Sequence, residues 1–330
     1  MKRFHVDFPK HLKITLTQDT VEEKLNELFY QKYTIQLSSG ITNKLIKATS
    51  LVYPKVVLVR LYGNKTENMI DRQEEIEYLT YLNACGECSP IFYTFENGLM
   101  YGYQEGFPLI SFSEQEEETL TGSSEMYASV DIPVSIMNLV VSKIASFHQI
   151  AIPEKQSMFI TKMKDWIKQV PSSFSPTVDL NKELSFLNKI LPKSAVNSHN
   201  DLLLGNIILE PQQDTFTIHF IDFEYAFPNF RAFDLANFLN ELCGFECQWS
   251  KFPSKSIVLE LIDTYITSSN QTIDKMAFYD ELQAGVLASH FLWGLWAIIQ
   301  SGVSELDFDY ATYSQKRLER YSELKSKFIE

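Results

Sequence analysis

The sequence predicts an α+β protein of two lobes, a small mixed lobe over residues 1–105 and a large, mainly helical lobe over residues 106–330. Three observations lead there. The first hundred residues interleave short strand-like runs with two stretches of helical period. Residues 104–131 break that pattern with Gly106, Pro108, the acidic run Glu114-Gln115-Glu116-Glu117-Glu118 and Thr121-Gly122-Ser123-Ser124. Beyond them the apolar spacing is mostly helical. With 45% hydrophobic and 22% charged residues, a chain of 330 residues has the apolar material for such a core.

In chain order, residues 19–32 set Val21, Leu25, Leu28 and Phe29 at helical spacing, with Asp19 or Thr20 as the cap. Residues 44–49 and 55–61 read as an antiparallel pair with Ser39-Gly40 at its entrance. Residues 71–82 form a helix with Ile76, Leu79 and Leu82 on its apolar side. Residues 91–95 and 98–103, split by Glu96-Asn97, form a hairpin. The segment 104–131 connects the lobes and continues as a solvated helix. Helices follow over 133–149, 160–169, 180–191, 233–243, 254–268 and 272–300, interrupted by strands at 206–209 and 216–221.

The formal charge of -13 repels a phosphate backbone, so neither nucleic acid nor an anionic membrane is expected as a main partner. Cys85, Cys88, Cys243 and Cys247 are few for this length and are expected as free thiols of a reducing compartment. No apolar stretch of signal-peptide length follows the basic start. The longest apolar region, 284–299, falls short of the roughly 20 residues that span a bilayer. A cytoplasmic chain without a transmembrane segment is expected, with 284–299 as a buried helix.

The chemistry concentrates in His199-Asn200-Asp201-Leu202-Leu203-Leu204-Gly205-Asn206, a strand, and Ile221-Asp222-Phe223-Glu224. Phosphoryl transfer needs a carboxylate to orient the attacking hydroxyl and hard oxygen ligands to hold Mg²⁺ against nucleotide phosphates. Asp201, Asn206 and Asp222 supply that set. The spacing resembles the H-x-D-x-x-x-x-N loop and D-F-x of protein-kinase-like folds. Glu224 stands where those have glycine and no A-P-E follows, which points to a small-molecule relative. His199 reads as a structural anchor.

Longer motifs carry a closer resemblance. They are Val59-Arg60-Leu61-Tyr62-Gly63-Asn64-Lys65-Thr66-Glu67, Asp71-Arg72-Gln73-Glu74-Glu75, Ser198 to Leu203 with Gly205-Asn206-Ile207, Ile221 to Tyr225, and Ser289-His290-Phe291-Leu292-Trp293-Gly294-Leu295-Trp296-Ala297. Together they resemble the choline and ethanolamine kinase family, on its ethanolamine side. The resemblance implies ATP-dependent phosphorylation of the ethanolamine hydroxyl to phosphoethanolamine, the first step of phosphatidylethanolamine synthesis, with ATP and Mg²⁺ as cofactors. It makes Asp201 the base and Asn206 and Asp222 the metal ligands. It places Arg60, with Glu75 as its helix partner, on the nucleotide phosphates, beside the loop Ser39-Gly40-Ile41-Thr42-Asn43. Gln104 is assigned to the nucleotide as well. Tyr225, Glu241, Trp293, Trp296 and Tyr313 correspond to the family's amine pocket, and Arg317 and Tyr321 brace the terminal helix.

Residues 234–241 depart from the family pattern, with Ala236 for glycine and Phe238 for histidine, while Asp234, Asn237 and Glu241 keep it. Glu246 stands where choline kinases add a tyrosine, which favours ethanolamine. Choline kinase, a dual choline/ethanolamine kinase, another small-molecule phosphotransferase and an inactive nucleotide-binding module remain as alternatives. The family includes dimers, so a homodimer is compatible with the resemblance.

Overall fold

The computed structural model describes residues 8–39, 43–63, 70–112, 131–304 and 308–328. The chain divides into two units, Met1–Glu105 and Gly106–Glu330. In the first, β-branched and aromatic runs build a six-stranded sheet from β1 (Lys10–Leu12), β2 (Thr34–Ser39), β3 (Asn43–Thr49), β4 (Val56–Tyr62), β5 (Ile91–Phe95) and β6 (Gly98–Gly102). Its order is β1-β5-β6-β4-β3-β2. Neighbours are antiparallel except β1 and β5.

Strand alternation sorts β4. Val57, Val59 and Leu61 enter a core with Ile46, Ala48 and Met100, joined by Val21 and Leu25 of helix α1 (Gln18–Phe29). Arg60, of opposite parity, faces away from that core, paired in register with Leu45 and Leu99. Helix α1 begins one residue before its expected start and ends three residues early, at Tyr30 in the left-handed region. Its N-cap is Thr17, whose N–H donates to Thr20 Oγ1 at 2.9 Å, so Thr20 serves as the partner in the first turn and Asp19 is not the cap.

Helix α2 (Arg72–Ala84) is capped by Asp71, which accepts the N–H groups of Gln73 and Glu74 at 3.0 Å. Its buried side corrects the sequence expectation. Glu75, Glu77, Tyr78 and Leu82 are buried, whereas Ile76 and Leu79 are half-buried. The reason is electrostatic: Glu75 turns inward to meet Arg60.

Gly98 opens β6 where a side chain has no room. A Cβ there would lie 2.1 Å from the Arg60 carbonyl oxygen and 2.7 Å from the Phe95 ring. Gly98→Ala is expected to lower stability by about 1–3 kcal/mol, measured by thermal unfolding.

The second unit contains β7 (Phe107–Pro108), β8 (Ile207–Pro211) and β9 (Phe216–Phe220), antiparallel in that order, so the expected hairpin gains a third strand. Helices α3 (Val134–Phe147), α4 (Phe159–Ile167), α5 (Leu180–Ile190), α6 (Ala232–Glu241), α7 (Lys255–Ser269), α8 (Lys275–Ser301) and α9 (Tyr310–Lys325) make up most of the rest. The six helices expected between residues 133 and 300 are all present, with ends shifted by up to three residues. Asp179, Ser254 and Asp274 cap three of them. The expected solvated helix before residue 131 falls largely on residues 113–130, outside the described residues.

Helix α8, against α6 and α9, is the spine of this unit. At 27 residues it is long enough to cross a membrane, contrary to the length argument from sequence, but 94% of its apolar window is buried inside the protein. It is a core helix. Gly285 of α8 approaches α6 so closely that a Cβ on it would sit 2.9 Å from the Ala236 Cβ. Ala236 therefore fits because its neighbour is a glycine, and Phe238 packs fully buried. All four cysteines are free thiols.

Candidate active site

Asp234, in the first turn of α6, is fully buried and organises the preceding loop. Its carboxylate accepts the backbone N–H of His199 at 2.8 Å and of Asn200 at 2.7 Å. His148 Nε2 lies 3.1 Å from the same carboxylate. Charge-assisted bonds of this kind are short and strong. Asn200 holds a left-handed φ of 69°, which asparagine tolerates better than other non-glycine residues. Its amide donates to the carbonyls of Tyr225 and Phe227, and its Oδ1 accepts from Asn229.

His199 is the anchor expected of it. The Asp201 N–H donates to Nδ1 at 3.2 Å, so Nε2 bears the proton and donates to the Ile221 carbonyl at 2.9 Å. Burial lowers its pKa, keeping the ring neutral. One imidazole thus ties the Asp201 loop to the residue before Asp222.

Asn206 closes the loop by donating its amide to the Asp201 carbonyl at 2.9 Å and to Asp201 Oδ2 at 3.0 Å. Both amide hydrogens are used, leaving Oδ1 as the atom able to take a cation. Asp222 leaves β9 with φ 62°. Burial holds the Asp201 carboxyl well above the usual carboxylate range, and the charges of Asp222, Glu241 and Glu224 push it further, against the Asn206 hydrogen bond. Four carboxylates thus share one region of the second unit.

An aromatic group lies in that region. The Tyr225 and Trp293 rings meet edge to face at 5.5 Å, and Trp293 meets Trp296 at 5.6 Å. Each indole is fixed by its N–H: Trp296 donates to the Tyr225 hydroxyl at 2.8 Å and Trp293 to Asn237 Oδ1 at 2.7 Å. Glu241 bonds Arg317, which is fully buried. The same guanidinium donates Nε and Nη2 to the Tyr313 hydroxyl at 2.9 and 2.7 Å and lies over the rings of Tyr313 and Trp249. His290 Nδ1 is 3.4 Å from Nη1; burial, with the Arg317 charge, holds this imidazole well below its ordinary pKa.

With this geometry in place, the comparisons decide the family. The family model described as choline/ethanolamine kinase matches residues 34–322. The chain belongs to the choline/ethanolamine kinase family. Family membership makes it an ATP-dependent kinase of an amino-alcohol head group. It is similar to a probable ethanolamine kinase A of Dictyostelium discoideum, 32% identical over 96% of this chain and 95% of the relative. A probable ethanolamine kinase of Nematostella vectensis is 31% identical over 89% and 88% of the two chains. Among solved structures, a Plasmodium vivax ethanolamine kinase matches with a TM-score of 0.71 and 26% identity, covering 88% of this chain and 82% of that one.

The residues expected from the family motifs fall into distinct groups. Asp201, Asn206 and Asp222 come together with Glu241, and Tyr225, Trp293 and Trp296 form one aromatic cluster. Tyr313 joins through Arg317 and packs against Phe245 and Phe308, its hydroxyl already engaged. Glu246 is exposed, and the ring on Tyr313 belongs to Phe245, so the side chain of Glu246 does not line this cluster. In the first unit, Arg60 and Glu75 form the expected ion pair, and Arg72 adds a second guanidinium on Glu75 at 2.9 Å. The Gln104 amide donates to the Glu105 carbonyl at 3.3 Å. Ser39 ends β2 and Asn43 begins β3; Gly40, Ile41 and Thr42 lie outside the described residues.

Several participants carried no chemical signal in the sequence. Asn200 holds the backbone of Tyr225 and Phe227, Asn229 holds the Asn200 side chain, His148 holds Asp234, Trp166 of α4 stands 6.0 Å from Tyr225, and Tyr310 meets Trp296 at 5.6 Å. Only the left-handed preference of asparagine beside Asp201 offered a hint.

Proposed function

We propose that this kinase transfers the γ-phosphoryl group of ATP to the hydroxyl of ethanolamine, giving phosphoethanolamine in the cytoplasm. The observation that carries this reading is the buried carboxylate group around Asp201 beside the rings of Tyr225, Trp293 and Trp296. Such a region attracts a small ammonium ion and repels anions other than those brought with a metal. A primary ammonium has three N–H donors for Glu241 and Glu224, whereas a quaternary one gains mainly from aromatic faces. The similarity to proteins named ethanolamine kinases points the same way.

In this reading Asp201 orients the substrate hydroxyl and takes its proton as the oxygen attacks the γ-phosphorus and ADP leaves. By the family resemblance Arg60, held by Glu75, carries the fixed charge assigned to the nucleotide phosphates, and Ser39, Gly40, Ile41, Thr42, Asn43 and Gln104 are assigned to the nucleotide as well. Asn206 Oδ1 and Asp222 suit Mg²⁺, a hard cation that takes few protein ligands and completes its shell with water and phosphate oxygens. Bound there, the ion would neutralise phosphate charge and hold the transferred group in line. Glu241, Tyr225, Trp293, Trp296 and Tyr313 hold the amine.

A coupled assay comparing kcat/KM for ethanolamine, its N-methylated forms and choline tests the reading. Ethanolamine should exceed choline by at least about tenfold, equivalent to one lost charge-assisted hydrogen bond, and EDTA should abolish turnover. Equal values would overturn the selectivity. ATP binding without ADP formation on any amino alcohol would overturn the reaction.

A further inference from the structure

A chain of hydrogen bonds reaches the catalytic loop from α7. Asp234 presents only acceptors to the loop N–H groups and to His148, so the His148 Nε2 carries a proton and donates to it at 3.1 Å. On the other side of the ring, Nδ1 lies 2.8 Å from the Tyr265 hydroxyl. Both side chains are buried, and burial raises the Tyr265 pKa, so the hydroxyl keeps its proton.

We propose that Tyr265 and His148 are positioning residues for catalysis, setting Asp201 through Asp234 and the loop backbone. The Tyr265 hydroxyl, bonded to Nδ1, fixes the rotation of the imidazole so that Nε2 faces the Asp234 carboxylate. Asp234 Oδ2 also holds the His199 N–H, two residues from Asp201, so a displaced carboxylate shifts the base directly. A second hold comes from the same end of α3: the Phe147 carbonyl accepts from Asn197, and the Phe147 ring stacks on Phe223 next to Asp222. The proposal rests on Asp201 being the base.

Tyr265→Phe removes the hydroxyl and keeps the ring, which packs on His148 and Phe278. Outer partners of reacting groups are worth roughly 10- to 100-fold, so kcat should fall at least about tenfold while both KM values stay within about twofold. In ¹⁵N-correlated spectra the His148 ring signals should shift and broaden as the ring loses its second hold. His148→Gln restores an amide N–H toward Asp234 without needing Tyr265. It should recover most activity relative to His148→Leu, and adding Tyr265→Phe to it should cost nothing further.

Tyr265→Phe with kcat within twofold of the parent overturns the proposal. So does a parallel decline of kcat, both KM values and melting temperature, which marks a purely structural role. Asp201→Asn, run alongside, separates the two readings: wild-type turnover there would remove the base, while the change in the His148 ring signals and the double-mutant cycle still report on the chain from Tyr265.

Discussion

Asp201→Asn is expected to lower kcat by roughly 10²- to 10⁴-fold and, at the same time, to raise the melting temperature. The loss follows from the role proposed for Asp201, since the variant removes that proton acceptor while leaving an oxygen for the Asn206 amide. The gain follows from linkage. Burial and the charges of Asp222, Glu241 and Glu224 raise the folded-state pKa of Asp201 above its unfolded value. Between those two values the folded chain binds more protons than the unfolded one, so stability falls as pH rises through that window and stays lower above it. An amide carries no charge and escapes the penalty. Thermal unfolding across pH should show the variant gaining most above the window and nothing below it. A variant that is both inactive and less stable at neutral pH would contradict the charge argument.

Arg317→Met should have the largest effect on stability, about 3–5 kcal/mol, because it strands the Glu241 carboxylate in a region already rich in negative charge. Arg317 is fully buried and donates to Glu241, twice to the Tyr313 hydroxyl and, at 3.4 Å, to His290 Nδ1, so one substitution breaks four bonds. Replacing both charges is a different experiment. Glu241→Leu with Arg317→Met removes the ion pair together with its desolvation cost and should recover most of the lost stability, though not amine binding. Urea unfolding of the two single variants and the pair measures this directly. Strict additivity would show that the two charges are not energetically coupled.

The fold was legible where side-chain period and burial agreed. Val57, Val59 and Leu61 alternate as a strand with one apolar face, and the helices from α3 to α8 carry their apolar spacing openly. It was misread on α2, where the buried side is chosen by a charge pair that lies 15 residues apart in sequence, Arg60 with Glu75. Strand β7 was missed because two residues, one a proline, leave no period to read.

The site divides in the same way. Asp201, Asn206 and Asp222 were readable because loop spacing fixes them locally. From the sequence Arg317 reads only as a brace of the terminal helix, because its bond to Glu241 across 76 residues leaves no local pattern. The support given by His148 and Tyr265 is hidden for the same reason: they act through side-chain hydrogen bonds across 86 and 117 residues of sequence, which no local motif encodes.

The Arg317 guanidinium, seated on Glu241 and over the rings of Tyr313 and Trp249, already occupies the kind of niche an ammonium ligand seeks. The folded chain has supplied a cation of its own there, and the charges of Asp222, Glu241 and Glu224 still bear on Asp201. That residual imbalance makes ligand binding an act of charge completion. Each cation admitted relieves repulsion that the protein carries at rest, so the melting temperature becomes a gauge of site occupancy, rising with every positive ligand that enters.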